Sequence, residues 1–244
     1  MFTGIVEGQG KVEGIVPRGA AHRLCLELGA LAEGVAVGDS VAIDGTCLTA
    51  VSVAGGRVEF DVIRETVERT AFAMLKVGDK VNVERSMRAD GRFHGHFVTG
   101  HVDAAGRILV KRAEPGQVWL TVEVPPRLTA AMVEKGSVTL DGVSLTLTEV
   151  LPTRLSVALI PHTLEVTTLG AKGPGHLVNV EVDVMGKWVR RLIAAYLPGA
   201  PDAAPTPEAA PEPAGPRILG PEALLSETVE DMRRAGFFGQ DRGG

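Results

Sequence analysis

The chain contains one sequence twice, and this internal repeat constrains the fold more than any other feature. The segment GDSVAIDGTCLTAV, which begins at Gly38, recurs as KGSVTLDGVSLTLTEV, which begins at Lys135. This shift of 97 residues (144 − 47) places Cys47 on Ser144. FTGIVEGQGKV, near the start of the first copy, matches VTGHVDAAGRI at a shift of 96 (98 − 2). A period of this length is too long for a solenoid repeat and indicates two copies of one small domain.

The local pattern of each copy predicts β-strands. Short runs rich in β-branched residues, such as VAIDGTCLTAVSV, RVEFDVI and KVNVE, are separated by Gly, Asp and Asn. This pattern is typical of antiparallel strands in a small barrel or sandwich. Each copy also carries one helix-like stretch, ETVERTAFAM or HTLEVTTLG. We therefore predict an all-β fold of two similar closed barrels, residues 1–94 and 95–184.

A different pattern follows the second copy. In VMGKWVRRLIAAYL the apolar residues Met185, Val189, Leu192 and Tyr196 are spaced by 4, 3 and 4 positions. This spacing is typical of a coiled-coil-like seam. It predicts an oligomerisation helix over residues 185–197, and the alternative is a helix that lies on its own barrel.

The C-terminal region changes composition again. Residues 198–217 hold seven of the chain's fifteen prolines, so we predict a Pro/Ala-rich linker without a packed core. Residues 218–244 are predicted to be a tail with a short amphipathic helix, because PEALLSETVEDMRRAGFF has an acidic start and a basic end.

Charge and cysteine content narrow the classes of function. The net charge of −5 argues against nucleic acid or an anionic membrane as the partner. Cys25 and Cys47 have no CxxC neighbour, so no disulfide framework is expected and the cytoplasm is the simplest location. MFTGIVEG lacks the features of a signal peptide, and no apolar run approaches the roughly 18 residues of a membrane helix.

The two Asp-Gly turns mark candidate ligand sites. Each copy reads as a strand, a tight Asp-Gly turn and a second strand. If Leu48 and Leu145 point into the barrels, the small polar side chains beside them point outward. These side chains are Cys47, Thr49, Ser144 and Thr146. Strand packing would explain one copy alone, but the same polar pattern in both copies favours a duplicated binding site for a flat polar ligand.

Three histidines lie close together in FHGHFVTGH, at positions 94, 96 and 101. His-x-His is a metal-ligand spacing, but no Cys or carboxylate cluster completes a site, so we predict no metal. His101 takes the place of Ile5 in the first copy, and Asp183 takes the place of Ser86 (183 − 97). The two copies thus differ chemically at these positions. For Asp183 alone, divergence of a solvent-exposed position without functional meaning is a sufficient explanation.

Several motifs together resemble the riboflavin synthase alpha-chain family. They are the start MFTGIVEG, the paired DGxxLT turns, VNVER, GHxxxGHV, PHTLExTTLG and VNVEVD. The resemblance covers about residues 1–197 and implies two tandem six-stranded Greek-key lumazine-binding barrels, with a C-terminal helix that gathers three chains. It also implies an active site between the first barrel of one chain and the second barrel of another, with lumazine synthase as a candidate partner.

The resemblance implies an activity that uses no metal and no cofactor. Riboflavin synthases transfer a four-carbon unit between two molecules of 6,7-dimethyl-8-ribityllumazine, which gives riboflavin and 5-amino-6-(D-ribitylamino)uracil. The residues carried over as influencing the chemistry are Ser40, Cys47, His101 and Asp183. The residues carried over as the first substrate cradle are Cys47, Leu48, Thr49, Asp61, Val62, Ile63, Arg64, Glu65 and Thr66. Those carried over as the second cradle are Lys135, Ser144, Leu145, Thr146, Ala158, Leu159, Ile160, Pro161, His162 and Thr163. The matching strand edges are Gly4, Ile5, Val6 and Gly100, His101, Val102. His162 departs from the family pattern, in which many members have an acidic residue.

A duplicated cradle suits a reaction between two identical molecules. The C7 methyl group of an N8-alkylated lumazine is acidic and needs a base to remove its proton. His101 is the candidate base, because imidazole side chains in general accept protons near neutral pH. Ser40, Cys47 or water is the candidate nucleophile at C7 of the other lumazine. We expect the first cradle to be complete within residues 1–90. Two other functions stay open: a non-catalytic lumazine or flavin carrier, and a metal-dependent barrel enzyme that uses the histidines.

Overall fold

The structure is a computed structural model that describes residues 1–19, 21–194 and 196. These residues form two closed antiparallel β-barrels followed by a helix. The predicted fold of two tandem six-stranded barrels is therefore confirmed. The predicted linker, 198–217, and the predicted tail with its helix, 218–244, lie outside the described residues.

The first barrel closes in the strand order β1-β2-β5-β4-β3-β6. Its strands are β1 (Gly8–Arg18), β2 (Ala21–Glu27), β3 (Ser40–Ile43), β4 (Thr46–Ala54), β5 (Arg57–Ile63) and β6 (Lys80–Arg85). Helix α1 (Arg64–Arg69) follows β5, and a 3-10 turn (Ala71–Met74) follows α1.

The second barrel repeats this order as β7-β8-β11-β10-β9-β12. Its strands are β7 (Ala104–Glu114), β8 (Gln117–Glu123), β9 (Ser137–Leu140), β10 (Val143–Leu151), β11 (Arg154–Leu159) and β12 (Leu177–Val182). Its helices are α2 (Pro126–Thr129) and α3 (Pro161–Val166), with a 3-10 turn (Thr168–Gly170) after α3, and α4 (Val184–Ala194) follows the barrel.

Equivalent strands bulge at equivalent places. The register of β1 against β2 shifts after Val12, and that of β7 against β8 shifts after Ile108. The register of β4 against β5 shifts after Ala50, and that of β10 against β11 after Leu147. Bulges bend strands and increase their twist, so both copies use the same two bends to close the sheet into a barrel.

Each barrel has its own aliphatic core, because alternate residues of every strand point inward. A third, smaller cluster joins the barrels and consists of Phe2, Ala42 and Val98. The amide of Phe2 donates to the carbonyl of Val98 at 2.8 Å, and Phe2 is fully buried. The segment before the first barrel is thereby paired with the segment before the second.

Helix α4 keeps its apolar residues in solvent. Lys187 pairs with Asp103 at 2.6 Å, and Nη1 of Arg190 donates to the carbonyl of Arg127. These polar contacts hold the helix against the second barrel. Five of its large apolar residues are between 49% and 61% exposed, namely Met185, Trp188, Val189, Leu192 and Ile193. The helices of the described ranges are all too short or too polar to cross a bilayer.

Candidate active site

The two Asp-Gly turns pack against each other where the barrels meet. Asp44 and Gly45 join β3 to β4, and Asp141 and Gly142 join β9 to β10. All four residues have φ angles between 42° and 79°, as a type I′ turn requires. A Cβ atom on Gly45 would lie 2.5 Å from the backbone nitrogen of Gly142, so the contact between the turns depends on glycine.

Two buried asparagines tie these turns together across the barrel contact. Nδ2 of Asn82 donates to the carbonyl of Asp141 at 2.9 Å, and Nδ2 of Asn179 donates to the carbonyl of Asp44 at 2.9 Å. The side-chain oxygen of each asparagine accepts a backbone amide from the opposite barrel. Because buried polar groups are costly unless they are paired, this network fixes how the two barrels meet.

The two turn aspartates differ in one partner. Nζ of Lys172 lies 2.6 Å from Oδ2 of the fully buried Asp141. The position equivalent to Lys172 in the first copy is Leu75 (172 − 97), and no ion pair reaches Asp44 among the described residues. Burial, followed by the charge of Asp141, raises the pKa of Asp44 to about 8. Asp44 is therefore largely protonated at neutral pH.

Replacing Asp44 by asparagine should remove part of the pH dependence of stability. The folded chain holds the Asp44 proton up to about pH 8, whereas the unfolded chain loses it near pH 4. The free energy of unfolding therefore falls as pH rises through this window, by up to roughly 1.4 kcal/mol per pH unit. The asparagine still accepts the amide of Asn82 but has no proton to lose. The stability of Asp44→Asn relative to the natural chain should therefore increase as pH rises from 5 to 8. Urea unfolding at several pH values measures the free energy of unfolding of both chains. The prediction would be contradicted if this free energy changed with pH by the same amount in the variant and in the natural chain.

Each cradle is completed by a segment of the other repeat. The amide of Cys47 in β4 donates to the carbonyl of Gly100 at 2.8 Å, and the amide of Ser144 in β10 donates to the carbonyl of Gly4 at 2.7 Å. A Cβ atom on Gly100 would lie 2.6 Å from Cβ of Cys47, so the two backbones touch. The expectation that the first cradle is complete within residues 1–90 stays a prediction, and the backbone edge beside Cys47 comes from residue 100, beyond that range.

Two buried glutamates hold these crossing segments. The carboxylate of Glu84 accepts the amides of Thr3 and Gly4 at 2.7 and 3.0 Å. The carboxylate of Glu181 accepts the amides of residues 99 and 100 at 2.8 and 3.0 Å. Burial raises the pKa of both carboxyl groups, and the bonds that they accept partly offset this rise. The glutamates thus position the backbone edges that line the cradles.

The residues carried over as the cradles divide between surface and core. Leu48 and Leu145 are buried, whereas Thr49 and Thr146 are exposed and Cys47 and Ser144 are half-buried, as the strand alternation predicts. The side chains that point away from the core and are exposed are Ile5, Asp61, Ile63, Arg64, Glu65, Ile160, Pro161 and His162. Val62 and Leu159 point into the cores, so they can shape a cradle only through the backbone.

The sequence did not single out His96 as a site residue, but the structure places it beside Ser144. Nδ1 of His96 lies 2.7 Å from Oγ of Ser144, and only 8% of His96 is exposed. Burial lowers the pKa of His96, and the charge of Asp183 partly offsets this. The repeat could not identify His96, because at the shift of 96 that applies here no residue of the given sequence is aligned with it (96 − 96).

The residues expected to influence the chemistry lie in different places. His101 is exposed and follows Gly100 directly, beside the first cradle. Ser40 pairs with Thr49 across β3 and β4 and lines a cavity of about 630 Å³ together with Ile5. Oδ1 of Asp183 accepts the amide of Met185 at 2.9 Å and so caps helix α4.

Two further predicted site features can be placed. Lys135 is exposed, has a φ of 67°, and donates its amide to the carbonyl of Leu147 in β10. Within residues 1–19, 21–194 and 196, no group of three or more His, Cys, Asp or Glu side chains could hold a metal ion. The polar side chains around the cradles include the thiol of Cys47, the hydroxyl groups of Thr49, Ser144 and Thr146, and the imidazoles of His96, His101 and His162.

Comparison with known proteins gives a consistent result. The model of the lumazine binding domain matches the chain twice, at residues 3–86 and 99–183. The riboflavin synthase of Bacillus subtilis (strain 168) is 40% identical over 193 residues, which cover 79% of this chain and 90% of that protein. The riboflavin synthase of Mycobacterium tuberculosis (strain ATCC 25618 / H37Rv) is 41% identical over 199 residues, which cover 79% of this chain and 98% of that protein.

A solved structure shows the same fold. LumP complexed with 6,7-dimethyl-8-(1'-D-ribityl) lumazine matches with a TM-score of 0.67 and 26% identity, over 75% of this chain and 99% of LumP. Two domain matches cover both barrels, and the two enzymes match nearly over their full length. The chain therefore belongs to the riboflavin synthase family, and it carries the lumazine binding domain twice.

Proposed function

We propose that the chain converts two molecules of 6,7-dimethyl-8-ribityllumazine into riboflavin and 5-amino-6-(D-ribitylamino)uracil. The observation that carries the proposal is the pair of equivalent, outward-facing cradles with unequal reactive groups. His101 follows the edge of the first cradle, and the hydrogen-bonded pair His96–Ser144 lies in the second. Each cradle holds one lumazine. The enzymatic relatives at about 40% identity support catalysis on this fold.

The reaction balances without any other reactant. The four carbons that move are C6, C7 and their methyl groups, from one lumazine to the other. All atoms and electrons of the two products come from the two substrates, so no oxidant, reductant, metal or redox cofactor is required. Holding the two rings in a reactive geometry can contribute roughly 7–11 kcal/mol to lowering the barrier.

In the first cradle, His101 removes a proton from the C7 methyl group. The resulting carbanion is stabilised because its charge spreads into the pteridine ring. The outward side chains of Cys47 and Thr49 contact the ring from the strand, and exposed residues of β5 and α1 from Asp61 to Thr66 contact the rest of the ligand. An imidazole is suited to this step because it can accept and return a proton near neutral pH.

In the second cradle, Ser144 adds to C7 of the other lumazine. A hydroxyl group within hydrogen-bond reach of a neutral imidazole is the usual arrangement of an activated nucleophile. As the bond from Oγ of Ser144 to C7 forms, His96 takes the hydroxyl proton and the electron pair moves into the ring. When the adduct eliminates, that bond breaks and the proton returns. Ser144 thus takes the role left open between Ser40, Cys47 and water, and Asp183 tunes His96 through its charge.

A non-catalytic carrier is the second candidate, because LumP, whose structure was solved in complex with the lumazine, shares the fold, and binding alone does not require turnover. The two functions are separated by incubating the purified chain with 6,7-dimethyl-8-ribityllumazine alone, with and without a chelator. An enzyme should consume two lumazines for each riboflavin and each aminouracil formed, and the chelator should not change the rate. A spectral shift without turnover would identify a carrier, and loss of the rate on chelation would reveal a metal.

We also propose that helix α4 joins three chains, so that the first cradle of one chain faces the second cradle of another. The exposed apolar residues of α4 support this, because such a patch on a surface helix marks an interface. Residues 1–94 and 95–184 are the proposed binding domains, and α4 (Val184–Ala194) is the proposed oligomerisation helix; residues 195 and 197 of the range predicted from the sequence lie outside the described residues. The proposed location is the cytoplasm, because both cysteines are free thiols, as is usual in a reducing compartment. The proposed protein partner is lumazine synthase.

Replacing Trp188 by glutamate should dissociate the oligomer. Trp188 is 61% exposed in the single chain, and burying a glutamate at its position would leave an unpaired charge in the interface. Loss of a central tryptophan commonly costs about 2 kcal/mol or more of association energy. Light scattering should show monomers and the turnover assay a loss of activity, whereas the exposed polar change Arg191→Gln should leave both unchanged. An undiminished trimer of Trp188→Glu would rule out this interface.

A further inference from the structure

A cavity of about 140 Å³ lies in the first barrel between β1, β2, β5 and α1. Its wall includes Ile15 of β1, His22 of β2, and Phe72, Ala73 and Leu75 of the 3-10 turn region. Val62 lines the cavity and points inward from β5, whereas its neighbours Asp61 and Ile63, the cradle residues of the same strand, are exposed and absent from the cavity wall. The cavity is therefore distinct from the substrate cradle.

The second barrel fills the equivalent space with a lysine. Ile15 pairs with Leu24 across β1 and β2, and Lys111 pairs with Leu120 across β7 and β8, so Lys111 takes the place of Ile15 (111 − 96). Nζ of Lys111 donates to three backbone carbonyls, at 2.6 to 3.0 Å. These carbonyls belong to Leu169, Gly170 and Lys172.

The three partners of Lys111 correspond to the cavity wall of the first barrel. A shift of 97 residues takes Leu169, Gly170 and Lys172 onto Phe72, Ala73 and Leu75. The first barrel thus has the same turn, but isoleucine replaces the lysine that would supply an ammonium group.

The first barrel also has a polar atom that the second lacks. Nδ1 of His22 is buried without a hydrogen-bond partner among the described residues. The register places His22 opposite Val62, and its counterpart Val118 opposite Leu159, so an apolar residue stands at this place in the second barrel. A buried polar atom without a partner is unfavourable, and a neutral imidazole nitrogen can accept a hydrogen bond.

We propose that this cavity binds a short primary aliphatic amine, as its ammonium ion. The chain of the amine takes the place of the Lys111 side chain, and its ammonium group donates to the turn carbonyls and to His22. A cavity of about 150 Å³ accommodates benzene, so one of about 140 Å³ has room for the five heavy atoms of n-butylamine. The site is separate from the proposed reaction.

The test titrates the full chain with n-butylamine, and with n-butanol as the uncharged analogue of equal size. Backbone amide resonances of residues 73–75 report binding by NMR. Saturable shifts with the amine, and binding of the alcohol weaker by about ten-fold or more, are expected because charge-assisted hydrogen bonds are the stronger ones. Equal binding of both molecules, or binding of neither, would overturn the proposal.

Two variants make the test specific. Ile15→Lys should place an ammonium group on the turn carbonyls, raise Tm by a few degrees and abolish the shifts caused by n-butylamine. Lys111→Ala should lower Tm by opening the equivalent space, and n-butylamine, but not n-butanol, should restore part of the loss. An Ile15→Lys chain that still binds the amine, or a Lys111→Ala chain that the amine does not stabilise, would contradict the proposal.

Discussion

Replacing Lys172 by methionine is expected to lower the free energy of unfolding by about 3–5 kcal/mol, the usual effect of removing one partner of a buried ion pair. Asp141 is fully buried, and Nζ of Lys172 lies 2.6 Å from its carboxylate. Burial lowers the pKa of Lys172, but the charges of Asp141 and Asp44 outweigh this, so its pKa is raised. Methionine fills the same volume but leaves the carboxylate of Asp141 without a cation.

Two control chains isolate the charge effect. Asp141→Asn combined with Lys172→Met removes both charges and should recover much of the lost stability, because the asparagine oxygen still accepts the amide of Asn179. Lys187→Met removes the partly exposed pair with Asp103 and should cost at most about 1 kcal/mol. Urea unfolding at pH 7 measures all three. If Lys172→Met cost no more than Lys187→Met, the buried pair would not stabilise the barrel contact.

Replacing His96 by glutamine is expected to lower kcat by about 10²–10⁴-fold, the usual range for loss of a general acid–base group. Glutamine can still bond to Ser144, so riboflavin binding should change little. Because His96 and Ser144 act as one unit, the double variant with Ser144→Ala should be hardly slower than either single variant. His94→Gln, at an exposed position of the same segment, should leave kcat unchanged. Additive losses in the double variant would contradict a joint role.

The pH profile of kcat gives an independent test of His96. The neutral imidazole accepts the proton, so activity falls as pH drops through its pKa. Burial lowers this pKa, so the acid limb due to His96 should lie below the ordinary value of about 6.5. The base of the first cradle must also be neutral, so the limb due to His96 is identified as the one that a change at Asp183 moves. The charge of Asp183 raises the pKa, so Asp183→Asn, which can still cap α4, should move the acid limb to still lower pH. A limb that moves upward would contradict the assignment.

The sequence predicted the fold because local patterns determine it. Strand alternation and the Asp-Gly turns occur in both copies, so the repeat could be aligned and the outward positions of Cys47, Thr49, Ser144 and Thr146 inferred. The motif resemblance then supplied the number of strands and their Greek-key order. These features depend on residues that are neighbours in sequence or in one hairpin.

The contacts between the copies could not be predicted in the same way. The bonds from Cys47 to Gly100 and from Ser144 to Gly4 join residues far apart in sequence, and no local pattern encodes such a crossing. The pairing of His96 with Ser144 has no counterpart in the first copy, so comparing the copies could not reveal it. The repeat aligns Lys172 of the second copy with Leu75 of the first. The role of this lysine as an ion-pair partner could not be predicted, because it depends on the burial of Asp141.

The central claim is that two unequal cradles act together, one from each of two chains. The rate of riboflavin formation tests this in chains that carry Thr49→Trp or Thr146→Trp, since a tryptophan at an exposed strand position is tolerated and blocks one cradle. Each variant alone should bind one ligand per chain and make no riboflavin. When the two variants are coexpressed in equal amounts, half of the first cradles and half of the second cradles are open. About a quarter of the sites between chains in mixed oligomers then have both cradles open, so about a quarter of the normal rate should return. Near-normal turnover by either variant alone would contradict the claim.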